Sequence, residues 1–221
     1  FFAWRAAHWA NWMFDVASIE GSTIRVGRGG FQGARGGAGS DWFIANLLEE
    51  LDDPREFYYD RREAMLYVIA NSTDGAPPAA DAVYEGLQQE TLVRVEGSAM
   101  DKPVTGLTLR GLGFRDTAPT YMEPHGVPSG GDWALQRTAA IFVQGSEGLR
   151  IGSCRFVRLD GNGVMLSSYN RDATIEKSEF VWTGTTAIAL WGDTGGVAGA
   201  PEGMGWDGRA GDQPRRTRIS Q

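Results

Sequence analysis

The sequence predicts a mainly β protein in which a parallel β-helix, built from repeats of about 24 residues, follows a small mixed α/β segment. The first observation is self-similarity, because Phe156 and Phe180, and likewise Leu166 and Leu190, recur at one constant spacing in similar stretches. Short apolar segments with a period of two indicate strands. The 31 glycines, about twice the usual share, indicate many turns.

The N-terminal segment, residues 1–90, is predicted to pack on the β-helix and to contain a strand at residues 23–26 followed by a glycine-rich loop. A helix is predicted over residues 41–52, because four apolar side chains fall on one helical face: Ile44, Leu47, Leu48 and Leu51. Strand, glycines and helix together invite a dinucleotide-binding interpretation. The G-x-G-x-x-G pattern fails, however, since Gln32 stands where its third glycine belongs.

A β-hairpin is predicted over residues 56–69. Phe57 and Tyr59 alternate in the first arm, Leu66 and Val68 alternate in the second, and the residues between them form the connection.

Residues 91–221 are predicted to form the turns of the β-helix, with insertions at 117–138 and 192–214. Gly148–Phe156 resembles Gly106–Phe114 at an offset of one period plus an insertion. "VEGS" at Val95 resembles "VQGS" at Val143 at an offset of twice the period. An antiparallel sandwich is the main alternative, but it gives no reason for equivalent residues to recur at this spacing. Because the chain ends as a new turn begins at Ile219, we expect the natural protein to continue.

The composition of the chain argues against several classes of partner and cofactor. The net charge of −7 argues against nucleic acid, which requires a basic surface. No apolar run is long enough to insert in a membrane. Cys154 is the only cysteine, so no internal disulfide can form, and no dense acidic run indicates calcium. We therefore predict no metal or other cofactor, and a monomer.

The repeats and one upstream segment resemble the right-handed parallel β-helix superfamily, which has the pectate-lyase-like fold. The upstream segment comprises Asp53, Pro54, Glu56, Phe57, Tyr58, Tyr59, Asp60, Leu66 and Tyr67. The resemblance implies a secreted, carbohydrate-active protein with a polysaccharide groove along one sheet and catalytic acids on neighbouring turns. The Gly-His-Gly signature of its polygalacturonases is absent, since Pro124 precedes His125, so the superfamily's functional residues are not carried over.

The candidate site residues are polar and aromatic positions that change from one repeat to the next, since a glycan site needs carboxylates, amides and aromatic faces. The candidate catalytic residues are Asp132, Asp160, Asp193 and His125. The candidate substrate-binding residues are Trp133, Arg158, Asn162, Tyr169, Trp182 and Trp191. Asp116, Arg158 and Trp182 are expected to share one outward column, and Asp160 and Asp193 to approach the spacing of a glycosidase acid pair.

The favoured function is hydrolysis of glycosidic bonds in a polysaccharide by paired carboxylates. A polysaccharide lyase is the close variant, with Arg158 as its basic residue. A non-catalytic glycan-binding or adhesion module at the cell surface is the alternative, and would show the same columns without a converging acid pair.

Overall fold

The computed structural model describes residues 1–5, 8, 11–30, 38–70, 76–98, 100–123, 125, 136–193 and 212–221. The chain divides into two compact units, residues 1–27 with 36–86, and residues 28–35 with 87–221. The described part is mainly β and contains several parallel sheets. None of the helices in these ranges has the length and apolar character that a membrane crossing requires.

Unit 1 holds a four-stranded sheet in the order β3-β2-β1-β4, in which β1 pairs antiparallel with both neighbours. Its strands are β1 (Phe2–Arg5), β2 (Asn11–Glu20), β3 (Thr23–Gly29) and β4 (Ala38–Phe43). The strand predicted at residues 23–26 lies within β3.

The helix predicted over residues 41–52 is wrong. The first of these residues belong to β4, and only Leu48–Glu50 forms a 3-10 turn. Asn46 has a left-handed backbone with φ of 62°, and Leu47 is extended, so the helical path is interrupted. The Asn46 side chain exchanges hydrogen bonds with the backbone N–H and C=O of Tyr59, at 2.9 and 3.1 Å. These two hydrogen bonds favour the observed path of the chain over the helix that the apolar periodicity predicts.

The hairpin strands are β5 (Phe57–Asp60) and β6 (Met65–Val68), which pair antiparallel where the sequence predicts a hairpin. Asp60 Oδ1 accepts the backbone N–H groups of Arg62 and Glu63 at 2.8 and 3.2 Å, which fixes the start of the turn.

Unit 2 contains three parallel sheets that the chain visits in turn. The first has the order β10-β13-β16, the second has β17-β14-β11-β7 as its main path, and the third has the order β19-β15-β12-β9. The strands are β7 (Val93–Glu96), β8 (Val104–Thr105), β9 (Thr108–Arg110), β10 (Gly113–Arg115), β11 (Ile141–Glu147), β12 (Arg150–Gly152), β13 (Arg155–Leu159), β14 (Val164–Arg171), β15 (Thr174–Glu176), β16 (Glu179–Thr183), β17 (Ile188–Trp191), β18 (Pro214–Arg215) and β19 (Arg218–Ser220).

Strand register reproduces the predicted period. Phe156 lies opposite Phe180, one period further along the chain, and opposite Phe114, which precedes it by one period plus the first insertion. Val95, however, lies directly opposite Val143, so the doubled offset between them joins adjacent strands rather than strands two turns apart. The extra residues between Val95 and Val143 are therefore an insertion within one turn. The sequence does not reveal it, because the insertion brings the offset to twice the period.

The core of unit 2 lies between the three sheets. Val143, Leu166, Ile151 and Phe156 are all fully buried, and the Phe114, Phe156 and Phe180 rings stack in one column. Because neighbours along a strand point to opposite faces, the second sheet also has an outward apolar cluster. This cluster comprises Ala139, Phe142, Met165, Ala189 and Trp191, and it is buried as well.

Residues with positive φ recur at equivalent places near the ends of strands. One such column contains Asp116, Arg158 and Trp182, with φ of 60°, 52° and 57°. A left-handed backbone is uncommon for a residue with a bulky side chain. The three residues follow the paired positions Arg115, Val157 and Val181, so their side chains form the one column that the sequence predicts.

Candidate functional site

The first insertion starts as a strap, residues 117–121, which crosses the turn that follows β13. Thr117 Oγ1 accepts the Asp160 N–H at 2.9 Å, and the Thr120 N–H donates to the Asp160 carbonyl at 3.1 Å. Thr120 is buried and its hydroxyl donates to Gln136 Oε1 at 2.5 Å. The two ends of the described part of this insertion are therefore fastened to each other and to Asp160.

Asp116, just before the strap, is held by an arginine from the neighbouring strand. Arg158 donates from Nε to Asp116 Oδ1 at 2.7 Å and from an Nη atom to Oδ2 at 3.0 Å, and Arg115 lies 3.2 Å from Oδ2. The hydrogen bond from Arg158 is the main reason that the pKa of Asp116 is lowered, so this carboxylate stays ionised.

Asp160 has the opposite shift. Its side chain is half-buried, and burial first, then the negative charge of Asp116, raise its pKa. The pKa values of two carboxyl groups on successive repeats are thus shifted in opposite directions. The lowered pKa favours the ionised form of Asp116, and the raised pKa favours the protonated form of Asp160. Such divergence is typical of acid and base pairs in active sites.

Tyr121 is a residue that the sequence did not indicate. A methyl group at Gly184 would lie 2.3 Å from Tyr121 Oη and 2.9 Å from the Asp160 carbonyl carbon, so the hydroxyl lies within about 5 Å of that carbon. Burial, and then the charge of Asp160, raise the pKa of Tyr121. Its position follows from the strap, which no sequence period describes.

Asn162 lies inside the fold. It is 1% exposed, and its amide nitrogen donates to the carbonyls of Gln136 and Thr138 at 2.9 and 2.8 Å. Its oxygen accepts from the Thr185 hydroxyl at 2.7 Å and from the Thr186 N–H at 3.2 Å. All four hydrogen bonds of the amide are made, so this side chain fastens adjacent repeats and does not face a ligand.

Asp193 is placed far from Asp160. Asp160 precedes β14 and Asp193 follows β17, and these parallel strands pair Val164 with Ile188 and Ser167 with Trp191. The two aspartates flank opposite ends of this pair, and the steps from Ile188 to Trp191 alone span about 10 Å. That exceeds the spacing of a glycosidase acid pair, so Asp193 does not partner Asp160.

Arg137, also unforeseen from sequence, holds the start of the second insertion. Its guanidinium stacks 4.2 Å from the centroid of the Trp191 ring and donates to Ser167 Oγ at 2.8 Å. It also donates to the Trp191 and Gly192 carbonyls at 3.0 and 2.9 Å, and lies 3.6 Å from Asp193 Oδ1. Burial lowers the pKa of Arg137, whereas Asp193 raises it. Trp191 is thus packed beneath an arginine rather than open to a sugar.

The remaining candidates differ in their surroundings. Tyr169 is buried and donates to Glu147 Oε1 at 2.5 Å, whereas Trp182 is 79% exposed. His125 is half-buried, its Nδ1 lies 2.7 Å from the Glu123 carbonyl, and burial lowers its pKa. Asp132 and Trp133 lie outside the described residues.

One acidic triplet within the described ranges has metal-like spacing, Asp52, Asp53 and Glu56. Glu56 Oε2 already accepts the backbone N–H groups of Asp52 and Asp53 at 3.1 and 3.0 Å, so its carboxylate caps the local turn. We assign no metal to it.

The site that the geometry assembles is therefore the corner after β10 and β13, which we call the acidic corner: Asp116, Tyr121, Arg158, Asp160 and the exposed Trp182 of the same column. No protein-family model matches the chain, and no curated protein or solved structure is significantly similar to it.

Proposed function

We propose that the protein is a right-handed parallel β-helix that hydrolyses glycosidic bonds of a polysaccharide at the acidic corner. The observation that carries the proposal is the placement of two aspartates of successive repeats at one corner, since Thr117, which follows the Arg158-bound Asp116, accepts the Asp160 N–H at 2.9 Å. The pKa of Asp160 is raised and that of Asp116 is lowered, which agrees with this placement. Three parallel sheets visited in turn support the β-helix, because each strand pairs with its counterpart one repeat away.

Glycoside hydrolysis needs one protonated and one ionised carboxyl group. Asp160, with its raised pKa, is the acid that protonates the leaving oxygen of the glycosidic bond. Asp116 remains ionised beside Arg158 and acts on the opposite side of the sugar as nucleophile, or as the base that activates water. Trp182, 79% exposed and in the same column, offers its face to the apolar side of a neighbouring sugar ring.

A lyase is less well supported. The lyase variant assigns proton abstraction beside a uronate carboxyl group to Arg158. Its guanidinium makes a bidentate pair with Asp116, at 2.7 and 3.0 Å, which favours the charged form and leaves it unable to accept a proton.

The test is a screen for released reducing ends and for new carbon–carbon double bonds on a panel of neutral and acidic polysaccharides. Asp160→Asn and Asp116→Asn are each expected to lower kcat by about 100-fold or more. Asp172→Asn is the matched control, because Asp172 pairs with Arg216 in the same bidentate geometry, at 2.6 and 2.9 Å, outside the acidic corner.

Asp193→Asn is expected to retain activity, and Asp132→Asn tests the remaining aspartate that the sequence predicts to be catalytic. Circular dichroism checks that each variant folds. Full activity of the Asp160→Asn variant would refute the proposed acid, and double-bond formation would identify a lyase.

A non-catalytic glycan-binding module is the second candidate. It is favoured by the Asp172–Arg216 pair, which shows that this chain also uses the Asp116–Arg158 geometry simply to join repeats. Binding of a glycan that the protein does not cleave, weakened by Trp182→Ala and unaffected by Asp160→Asn, would establish that function.

A further inference from the structure

The outward face of the sheet β19-β15-β12-β9 carries a row in which threonine and arginine alternate from strand to strand. In register across the sheet, the row reads Thr108, Arg150, Thr174 and Arg218. Ile151, next to Arg150, is fully buried, so the Arg150 side chain points away from the core, and both arginines are exposed. Because neighbouring strands lie about 4.8 Å apart, the backbones at Arg150 and Arg218 are about 10 Å apart, with Thr174 between them.

Arg150 and Arg218 differ from other arginines of unit 2 because no acidic side chain neutralises them. Arg155, Arg158 and Arg216 each form an ion pair with an aspartate or a glutamate, at 2.8, 2.7 and 2.6 Å. The side chains of Arg150 and Arg218 make no ion pair, hydrogen bond or ring contact with any residue that the structure describes. Their ten N–H donors are therefore open to a ligand.

A second outward row of the same sheet adds one arginine and one acid. It reads Arg110, Gly152, Glu176 and Ser220. Arg110 is exposed and, within the described ranges, has no acidic partner either. The two rows together carry three arginines and one carboxylate, in a chain whose net charge is −7. This face therefore attracts anions locally, although the chain as a whole is acidic.

We propose that this face, formed by Arg110, Arg150 and Arg218 with Thr108 and Thr174, is a non-catalytic binding surface for a polysaccharide that carries a carboxylate on every second sugar. The guanidinium fork binds a carboxylate through two parallel hydrogen bonds. One sugar of an extended glycan advances by nearly the spacing of two strands in a sheet, so carboxylates on alternate sugars match arginines on alternate strands. The threonine hydroxyls between them face the intervening neutral sugar.

The anionic character of the partner follows from the arginines, whereas the choice of a glycan rests on the proposed function. The surface lies on a different sheet from β10 and β13, so it supplies none of the groups of the acidic corner. A nucleic acid fits less well, because single strands are bound by stacking on aromatic side chains and this row has only threonine and arginine.

The test is isothermal titration calorimetry of the full chain with hyaluronan, in which a glucuronate alternates with a neutral amino sugar. The double variant Arg150→Gln/Arg218→Gln is expected to weaken binding about fivefold or more, because two charge-assisted contacts are lost. Arg94→Gln/Arg155→Gln is the matched control, since it removes the same charge from two exposed arginines that are already paired with glutamates. This control should retain the affinity, and hyaluronan with its carboxyl groups methyl-esterified should bind far more weakly.

Absence of hyaluronan binding, or unchanged affinity in Arg150→Gln/Arg218→Gln, would overturn the proposal. An equal loss in the control variant, equal binding of the esterified polymer or tighter binding of single-stranded DNA would overturn it as well. None of these readouts depends on catalysis. If binding is lost as expected but no glycan is cleaved, the surface stands and the proposed hydrolase fails. If a glycan is cleaved and Arg150→Gln/Arg218→Gln binds hyaluronan normally, the hydrolase stands and the surface fails.

Discussion

The Phe156 ring stacks on the Phe180 ring with centroids 4.4 Å apart and planes 4° from parallel, although the two residues belong to successive repeats of the chain. Phe156 is fully buried between Phe180 and Phe114, whereas Phe180 is only half-buried. We expect Phe156→Ala to lower the free energy of unfolding by about 3–5 kcal/mol and Phe180→Ala to lower it by clearly less. Equal losses in urea unfolding would contradict this burial order.

Asn162 fastens three stretches of chain through four hydrogen bonds. Asn162→Ala leaves buried carbonyl and hydroxyl groups without partners, so we expect a loss of roughly 2–4 kcal/mol. Urea unfolding measures it, and Gln88→Ala, which truncates an exposed amide, is the control. If the two variants unfolded alike, the Asn162 side chain would contribute nothing to stability.

The glycines of the two similar stretches "VEGS" and "VQGS" touch each other. A methyl group at Gly145 would lie 2.3 Å from the Gly97 carbonyl oxygen, and Gly145 has φ of 68°. We expect Gly145→Ala to suffer both a backbone clash and left-handed strain, and to lower the thermal midpoint more than any other glycine variant in this set. Gly148→Ala shares the φ of 68° but has its nearest neighbour at 3.9 Å, and therefore isolates the strain. Gly113→Ala, with open space, should be nearly neutral.

Acid should weaken the fold through the ion pairs that join repeats. Hydrogen bonds from Arg158 and Arg216 lower the pKa of Asp116 and Asp172 below the ordinary 3.8. A carboxyl group whose pKa is lower in the folded state stabilises the fold at any pH above its unfolded-state pKa. This stabilisation is lost as the pH falls toward the folded-state pKa. We expect Asp172→Asn to lower the thermal midpoint at about pH 5 and to match the unmodified protein at about pH 2. A difference that persists in acid would show that the charge of Asp172 is not responsible.

Arg137 combines a stacked ring with three hydrogen bonds to fixed oxygens. Lysine cannot reproduce that planar fork, so Arg137→Lys should cost roughly 1–3 kcal/mol in urea unfolding. Arg94→Lys is the control, because Arg94 lies over Phe142 at 4.5 Å but is 53% exposed. A larger loss in the control would mean that burial of the guanidinium adds nothing.

Sequence reasoning succeeded where the same contact recurs. The constant spacing of Phe156 and Phe180 is the register of neighbouring strands, and the outward column of Asp116, Arg158 and Trp182 follows from it. It failed where one irregular contact decides the path, as at Asn46, whose pairing with Tyr59 replaces the predicted helix.

In the candidate site, the repeat predicts where Asp160 and Arg158 lie but not what they do. Both lie in the acidic corner, and their roles stay predictions. Tyr121 and Arg137 were missed because they belong to an insertion, where no neighbouring repeat gives their position. Asn162 was misjudged because a turn amide that binds a ligand and one that binds the backbone have the same sequence context.

The strand β14 pairs with β17 before the second insertion and with β18 after it. Ser167 lies opposite Trp191, Asn170 lies opposite Pro214, and the Asp193 N–H donates to the Asp212 carbonyl at 2.8 Å where the insertion leaves and returns. The sheet therefore constrains the two anchor points but not the number of residues between them. The segment can therefore be lengthened, shortened or exchanged, by evolution or by design, without a change in the register of the surrounding strands. The surface that it forms can vary while the sheet stays the same.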